Sequence, residues 1–346
     1  MLSIMLNPTH SRSESSPDRR LFWFSFATLL FAIPTIYMGS FTTTIGAGMI
    51  FPDWPTSNGS FNPDGWWIDR DMFAEHSHRL FAGVTALLTL TLLWLHLNRE
   101  SRKWLRRLSV AAAGLVILQA LMGGLRVIFD DVNWAIPHAF AGQAYFCMLA
   151  ALFFAHTNTW RQNSLTRKNL HELRYYRLCG MLVVCLIFLQ LIVGAVMRHH
   201  GAGLAIAYFP YSTANGSLLP EFWNYGITVH FLHRVGALLI TLGFVVWLFM
   251  SWRIRMLPRF LKIGTTIATA VLCIQIALGA SIIWTTRGAI PTSVHVIVGA
   301  LLLGCCVVLN LYVWRPIFER TIDKNTSPSI HDTPDGNLTR ATNALY

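Results

Sequence analysis

The sequence has few charged residues. Asp, Glu, Lys and Arg together make up 12% of its 346 residues, whereas hydrophobic residues make up 54%. Soluble domains carry about 25% charged residues, so this composition excludes an ordinary soluble protein. It predicts instead a chain that crosses a membrane several times.

Cysteine is also scarce. The six cysteines have no Cys-x-x-Cys spacing and fall inside, or at the inner ends of, apolar runs. This placement excludes a disulfide framework and a cysteine-based zinc site, and it predicts small buried side chains. The cysteines are Cys147, Cys179, Cys185, Cys273, Cys305 and Cys306.

Long apolar runs dominate the rest of the chain. A membrane-spanning helix needs roughly 20 apolar residues, and eight such runs begin near Leu21, His78, Leu108, Pro137, Leu178, Ile227, Ile263 and Ser293. Most of the 27 Lys and Arg residues collect in alternate connections between these runs. The positive-inside rule then places both termini in the cytoplasm, and the net charge of +11 indicates membrane topology, with no nucleic-acid partner.

The two halves of the chain resemble each other. An offset of 155 residues places Gly39 on Gly194, and the same offset places His78 on His233. We therefore predict an all-α membrane protein of eight helices, built as two tandem four-helix bundles in a parallel repeat. The predicted boundaries are a cytoplasmic N-terminal tail at 1–20, a first half at 21–160, a cytoplasmic linker at 161–177, a second half at 178–315 and a cytoplasmic disordered tail at 316–346.

Each half carries two histidines at corresponding ends of its second and fourth runs. They are His78 and His138 in the first half, and His233 and His295 in the second. Paired imidazoles without a nearby cysteine suit the axial positions of a haem iron better than a zinc site, which takes more protein ligands. The alternative is that these histidines only form hydrogen bonds between helices.

Arginines accompany these histidines. Arg79 and Arg234 directly follow a predicted ligand, and Arg126 and Arg198 lie near the same end of the bundle. Guanidinium groups bind carboxylates well, so these four arginines are candidates for contacts with haem propionates.

These residues resemble the haem A synthase family, of the CtaA/COX15 type. The likeness runs from about Leu21 to Arg315. Its motifs are Thr44-Ile45-Gly46-Ala47-Gly48 with Pro52-Asp53-Trp54-Pro55, Glu75-x-x-His78-Arg79, Arg198-His199-x-Gly201-Ala202-Gly203-Leu204, His233-Arg234 and His295.

The resemblance implies an enzyme that oxidises the C8 methyl group of haem O to the formyl group of haem A for cytochrome oxidase. It implies that His78 and His138 bind the substrate haem O, and that His233 and His295 bind a resident haem b. It also implies a bacterial plasma (inner) membrane location and a haem O synthase as the supplier. An electron donor or acceptor stays unidentified, and homo-oligomer formation stays open.

The chain departs from the family pattern at one place. Many members have a cysteine pair around the Pro-Asp-Trp-Pro motif, and often a cysteine pair in the matching loop of the second half. Here those positions are Phe51 and Ser57, and Ile206 and Ser212. Neither disulfide can form, which argues against an essential thiol in the reaction.

Glu75 breaks the symmetry of the repeat, because His230 stands at the matching position. A carboxylate three residues from a haem ligand can exchange protons or stabilise positive charge on a carbon under oxidation. We therefore predict that Glu75 is catalytic and that the first half is the reaction site. His76, His199 and His200 are predicted to be solvated loop or rim residues.

Two other functions fit part of the pattern. A di-haem b electron-transfer protein linked to quinol would explain the four histidines and would hold two permanent haems. A transporter with a parallel repeat would use intramembrane histidines as proton relays.

Overall fold

The computed structural model describes residues 18–129, 131–162, 165 and 167–324, with the backbone alone at 132, 167, 168, 170 and 317–324. Within these residues lie eight helices long and apolar enough to span a membrane, which confirms the predicted fold class. They are α1 (Arg19–Thr44), α2 (Arg70–Arg99), α3 (Lys103–Phe129), α4 (Ala135–Phe154), α7 (Arg174–His199), α8 (Tyr225–Arg253), α9 (Arg259–Trp284) and α10 (Ala289–Lys324); two short helices, α5 (Asn158–Arg161) and α6 (Arg167–Glu172), connect α4 to α7.

A polar side chain fixes where α2 begins. The Asp69 carboxylate accepts hydrogen bonds from the backbone N–H groups of Asp71 and Met72, which satisfies donors that have no partner in the first turn. This cap starts α2 well before His78, where the hydropathy pattern placed the start of the span. Glu75 and His78 therefore lie within the helix, and their side chains are directed by its packing against α1.

The helices form one bundle around a continuous core. Neighbouring helices in sequence pack against each other, and α10 also packs against α1 and α4. A single cluster of buried apolar side chains runs through both halves, from Leu21 to Val313. Large apolar side chains that remain exposed, such as Trp94, Leu182 and Phe249, face outward where lipid would cover them.

The bundle has two different ends. We call the end with loops 45–69 and 200–224 the loop end, and the end with connections 100–102, 155–173 and 254–258 the basic end. At the basic end α10 continues to Lys324, past Arg315, where the hydropathy pattern ended the span and began the disordered tail. The rest of that predicted tail and most of the N-terminal tail lie outside the described residues.

Candidate functional site

The imidazole of His78 is fixed by the neighbouring helix α1. Its Nδ1–H donates to the backbone carbonyl of Thr35 at 3.0 Å. A neutral imidazole that donates through Nδ1 keeps the lone pair of Nε2 free, and such a second hydrogen bond is what orients histidines that bind metals. His78 is therefore prepared to bind a metal ion through Nε2.

His138 on α4 is held in the same way by α3. Its Nδ1–H donates to the carbonyl of Gln119 at 3.2 Å, and the Gln119 side-chain amide donates to the His138 carbonyl at 2.9 Å. The two imidazoles of the first half interact electrostatically. The structure thus brings His78 and His138 together at the loop end, each with Nε2 available.

The second half repeats this arrangement with two differences. The Nδ1–H of His295 donates to the carbonyl of Gln275 at 3.2 Å, but the Gln275 amide also lies 3.2 Å from Nε2 of His295. The Nδ1 of His233 faces the amide of Gln190 at 3.0 Å, where Thr35 offers a backbone carbonyl in the first half. His233 and His295 interact electrostatically, so this pair too is assembled.

Each of the four histidine rings lies against a glycine of a neighbouring helix. A Cβ atom added to Gly39 would lie 2.7 Å from Cε1 of His78, and one added to Gly194 would lie 3.0 Å from Cε1 of His233. A Cβ atom at Gly39 would require the His78 ring to move, and one at Gly194 would require a smaller shift of the His233 ring. Gly123 faces His138 and Gly279 faces His295 at wider distances of 3.5 and 3.4 Å, which are ordinary van der Waals contacts.

Glu75 is buried, with 3% of its surface exposed, and three donors surround its carboxylate. The backbone N–H groups of Ile50 and Phe51 donate to Oε2 at 2.7 and 3.2 Å. The guanidinium of Arg79 forms an ion pair with Oε1 at 2.6 Å. Glu75 therefore ties the long loop to α2 as well as standing one turn from His78.

Arg79 and Arg234 serve as anchors for the two long loops. Arg79 donates to the carbonyls of Phe51, Asp53 and Thr56. Arg234 donates to the carbonyls at the matching positions, which are Ile206, Tyr208 and Tyr211. Since these loop contacts involve the terminal nitrogens of both guanidinium groups, both arginines have a structural task that the sequence did not indicate. This correspondence supports the predicted repeat.

Arg126 and Arg198 lie between the two histidine pairs. Arg198 on α7 donates to the hydroxyl and carbonyl of Ser40 and to the Thr44 hydroxyl, all on α1, at 2.5–3.0 Å. Arg126 on α3 packs against Gly48 and has no hydrogen-bond or ion-pair partner among the described residues. The two guanidinium groups interact with each other electrostatically, so they form a cationic seam between the halves.

The sequence suggested that His76 is solvated, but the structure shows that it is buried. Only 3% of its surface is exposed, its Nδ1 forms a hydrogen bond with the Ser57 hydroxyl at 3.0 Å, and its ring packs against Trp66. His199 is half-buried beside Arg198, and His200 is exposed. No sequence signal distinguished His76 from these two, because its partners lie in a loop ten or more residues away.

The loop around Phe51 and Ser57 is closed without cysteine. Phe51 and Ser57 are buried, and the loop is joined to α2 by the ring of His76 and the guanidinium of Arg79. All six cysteines are free, but only Cys147 and Cys306 are buried and Cys185 and Cys273 are exposed, so the prediction that all six are buried is wrong. Noncovalent contacts therefore hold the segment that a disulfide closes in many members of the resembled family.

Asp53 stabilises the same loop. Its carboxylate accepts hydrogen bonds from the Thr56 hydroxyl and from the backbone N–H groups of Asn58 and Gly59. Although burial opposes the charged form, these hydrogen bonds lower the pKa of Asp53 from 3.8 to about 2.

The pKa of Asp53 predicts how the loop responds to acid. Because the folded-state value lies below the unfolded one, the contribution of Asp53 is complete above pH 3.8 and is lost as the pH falls towards about 2. We expect the protection of the Asn58 and Gly59 amides, measured as the exchange rate relative to that of an unstructured peptide at the same pH, to fall over this interval. Asp53→Asn should show fast exchange already at neutral pH, and a wild-type pH response in that variant would contradict the prediction.

Known proteins match the sequence in both halves of the chain. The sequence matches the family COX15-CtaA, described as cytochrome oxidase assembly protein, over residues 1–130 and 68–307. It is similar to Heme A synthase of Alkalihalophilus pseudofirmus, with 24% identity over 306 residues, which are 86% of this chain and 99% of the relative. Heme A synthase of Shouchella clausii is 25% identical over 297 residues (83% and 95%), and that of Symbiobacterium thermophilum is 28% identical over 235 residues (66% and 73%).

Proposed function

Because the chain belongs to the COX15-CtaA family of cytochrome oxidase assembly proteins and functions as a haem A synthase, we propose that haem O is oxidised in its first half, between His78 and His138. The observation that carries this assignment is the fixed orientation of the two imidazoles. Each donates its Nδ1–H to a backbone carbonyl, so each offers Nε2 to an iron ion. Bound haem supplies the redox chemistry, and the protein supplies orientation and electrostatics.

The second half is proposed to hold haem b between His233 and His295. The contact of His295 with the Gln275 carbonyl supports the same tautomer as in the first half. For His233, the Gln190 amide nitrogen contacts both Nδ1 and the His233 carbonyl, at 3.0 and 2.7 Å, so Gln190 must move away from Nδ1 before Nδ1 carries the proton and leaves Nε2 to an iron ion. Gln275 must also turn away from Nε2 of His295. These two glutamines make the second site dependent on small side-chain adjustments.

The cationic seam formed by Arg126 and Arg198 is proposed to bind haem propionates. Arg126 lies within electrostatic range of His78 and His138, and Arg198 lies within range of His295. Their positions allow each arginine to bind a propionate of a different haem, or both arginines to bind one propionate together. Arg79 and Arg234, the other two candidates from the sequence, contact propionates only if they release loop carbonyls, so we propose that they orient the loops.

Glu75 is proposed to be the catalytic residue. It is one turn from His78 on the same helix, and the matching residue of the second half is His230, whose Nδ1 accepts from the Ile206 N–H at 3.2 Å. Both residues therefore hold their loop, but only Glu75 provides a carboxylate. A carboxylate at this place accepts protons or stabilises positive charge on the haem methyl carbon during oxidation.

The membrane setting extends the proposal. The chain is an integral membrane protein with eight apolar helices, and we propose that it lies in a bacterial inner membrane with both termini in the cytoplasm. The basic end would then face the cytoplasm, in agreement with the positive-inside rule. Haem O would come from a haem O synthase, and a redox partner would exchange electrons with the haem.

The function is tested by haem analysis. We expect haem A in haem extracts of cells that make this protein together with haem O, and none in cells that make haem O alone. The extracted haems are separated by chromatography. If haem A is absent while the purified protein carries two tightly bound b haems, the protein is an electron-transfer protein instead.

A further inference from the structure

A column of buried polar side chains runs through the first half from the histidine site towards the basic end. It begins beside His78, where the Thr35 hydroxyl of α1 and the Thr85 hydroxyl of α2 form a hydrogen bond of 2.8 Å. One turn further along α2, Thr89 forms a hydrogen bond with the Tyr145 hydroxyl of α4. Thr85, Thr89 and Tyr145 are all buried.

The column ends at the basic end in a chain of hydrogen bonds between two histidines. The Nδ1–H of His96 donates to the Leu92 carbonyl at 2.9 Å, which leaves Nε2 as an acceptor. The Nε2–H of His156 therefore donates to it at 3.1 Å. The Nδ1 of His156 in turn accepts from Arg102 at 3.3 Å. This order of donors and acceptors connects the interior to a partly exposed guanidinium.

Two further hydroxyls lie between these groups. Since α1 and α2 are antiparallel and Thr35 faces Thr85, Thr28 lies near the level of Leu92 and Ser25 near that of His96. The Ser25 hydroxyl is buried and has no hydrogen-bond partner among the described residues, and such groups usually bind an ordered water. Successive polar groups stand about one helical turn, roughly 5.4 Å, apart, which one water bridges with two hydrogen bonds of about 2.8 Å.

Among the described residues of the second half, the positions that match the column do not form a continuous polar series. The second half aligns with the first at an offset of 155 residues for α1 and α2 and of 157 residues for α4. At the aligned positions, most members of the column are replaced by apolar or small residues. Two of the matching positions stay polar, because Gln190 replaces Thr35 beside His233 and Ser251 replaces His96. The other replacements are Ser25 by Gly180, Thr28 by Val183, Thr85 by Ile240, Thr89 by Phe244, Tyr145 by Leu302 and His156 by Val313.

Helix packing alone does not explain why the first half has the polar column and the second half does not. Polar and ionisable side chains inside a membrane protein are expensive, and the second half builds the same four-helix bundle with Ile240, Phe244 and Leu302 in its core. The column is present only in the half to which we assign the oxidation. We propose that it conducts protons between the first-half site and the water at the basic end.

The proposed reaction requires such a route, and the inference rests on that function. With water as the oxygen donor, R–CH3 + H2O gives R–CHO, four protons and four electrons. The electrons leave to a one-electron acceptor, and the protons pass to bulk water. Hydroxyl and imidazole groups both donate and accept hydrogen bonds, so the side chains of the column and intervening waters can relay protons one at a time.

Ionisable side chains surround His156 where the column reaches the basic end. His156 is surrounded by His96 of α2, by Glu100 and Arg102 of the α2–α3 connection, and by Arg161 of α5. Burial and the Arg102 charge lower the pKa of His156 to about 3, so its imidazole is neutral at physiological pH. Glu100 forms an ion pair with Arg102 at 2.8 Å, which places an acid–base pair where the column meets water.

The test measures proton movement directly. Haem-loaded protein in membrane vesicles of known orientation is reduced rapidly, and proton uptake is followed with an impermeant dye on each side. In the wild type, uptake should occur from the basic-end side. Thr89→Val removes the hydroxyl at equal volume and should slow uptake by at least about tenfold, because one link of the relay is lost. Tyr145→Phe should do the same.

Two variants separate conduction from stability. Thr89→Ser keeps the hydroxyl and should restore wild-type uptake. Thr91→Val makes the same change on the exposed face of α2, where the hydroxyl also bonds to the carbonyl four residues earlier, and should have no effect. The haem spectrum reports whether each variant folds.

The possible results are distinct. Wild-type uptake rates in both Thr89→Val and Tyr145→Phe, or uptake from the loop-end side, would overturn the proton route while haem A formation still supported the proposed function. Absence of haem A with the wild-type protein would instead reject the proposed function, on which the inference rests.

Discussion

Glu75→Gln is expected to reduce haem A formation by about 10²- to 10⁴-fold, the range typical of lost acid–base assistance, while haem b stays bound in the second half. The amide has nearly the volume of the carboxylate and can still accept from the Ile50 and Phe51 N–H groups. It can neither take up a proton nor carry the negative charge. Haem A is measured in extracts, and haem b by the spectrum of the purified protein.

The ion pair with Arg79 must be separated from this effect. Removing one partner of a buried pair commonly destabilises a protein by about 3–5 kcal/mol, and Glu75 and Arg79 are such a pair. Arg79→Gln breaks the same ion pair but keeps the carboxylate. If Glu75 acts only as a loop anchor, Arg79→Gln will reduce haem A as much as Glu75→Gln does. We expect a clearly smaller loss.

His230→Gln supplies a matched control in the other half. His230 occupies the position of Glu75 and accepts one backbone N–H of its loop, a contact that a glutamine amide oxygen can replace. We expect haem A formation and haem b content close to the wild type. Equal losses in His230→Gln and Glu75→Gln would show that loop attachment, and not the carboxylate, limits the reaction.

Composition and periodicity were sufficient to predict the helices. The eight apolar runs correspond to the eight long helices, because twenty consecutive apolar residues have few other stable conformations in a chain of this kind. Helix starts were less predictable. The start of α2 depends on Asp69, whose side chain caps the helix, and the hydropathy pattern does not register one capping carboxylate.

Side-chain partners were the least predictable feature. The sequence suggested that Arg79 and Arg234 bind propionates, since both follow a histidine ligand. In the structure both contact loop carbonyls, because residues adjacent on a helix point to different faces, and their contact with propionates stays a prediction. The spacing of Thr85, Thr89 and His96 along one face of α2 was visible in the sequence. Their partners Thr35, Tyr145 and His156 lie on other helices, so the polar column emerged only from the packing.

Single replacements of the four histidines should separate the two haem sites. His233→Ala and His295→Ala each remove one proposed iron ligand of the second half, and we expect both to lose low-spin haem b. Loss of a group that merely orients a ligand typically lowers metal affinity by about 10- to 100-fold, so loss of the ligand itself should exceed that range. Haem b content is measured from the spectrum and from extracted haem per protein.

The first-half histidines should behave differently, and this contrast carries the assignment. His78→Ala and His138→Ala should keep haem b, because the second half has its own proposed ligand pair, a backbone carbonyl that orients His295 and a loop anchor in Arg234. They should bind no haem O and make no haem A. His200→Ala, which removes an exposed imidazole at the same end, should change neither. A low-spin haem b signal at full occupancy in both His233→Ala and His295→Ala would place haem b elsewhere, and since each half offers one histidine pair at the loop end, the resident and substrate sites would then have to be exchanged.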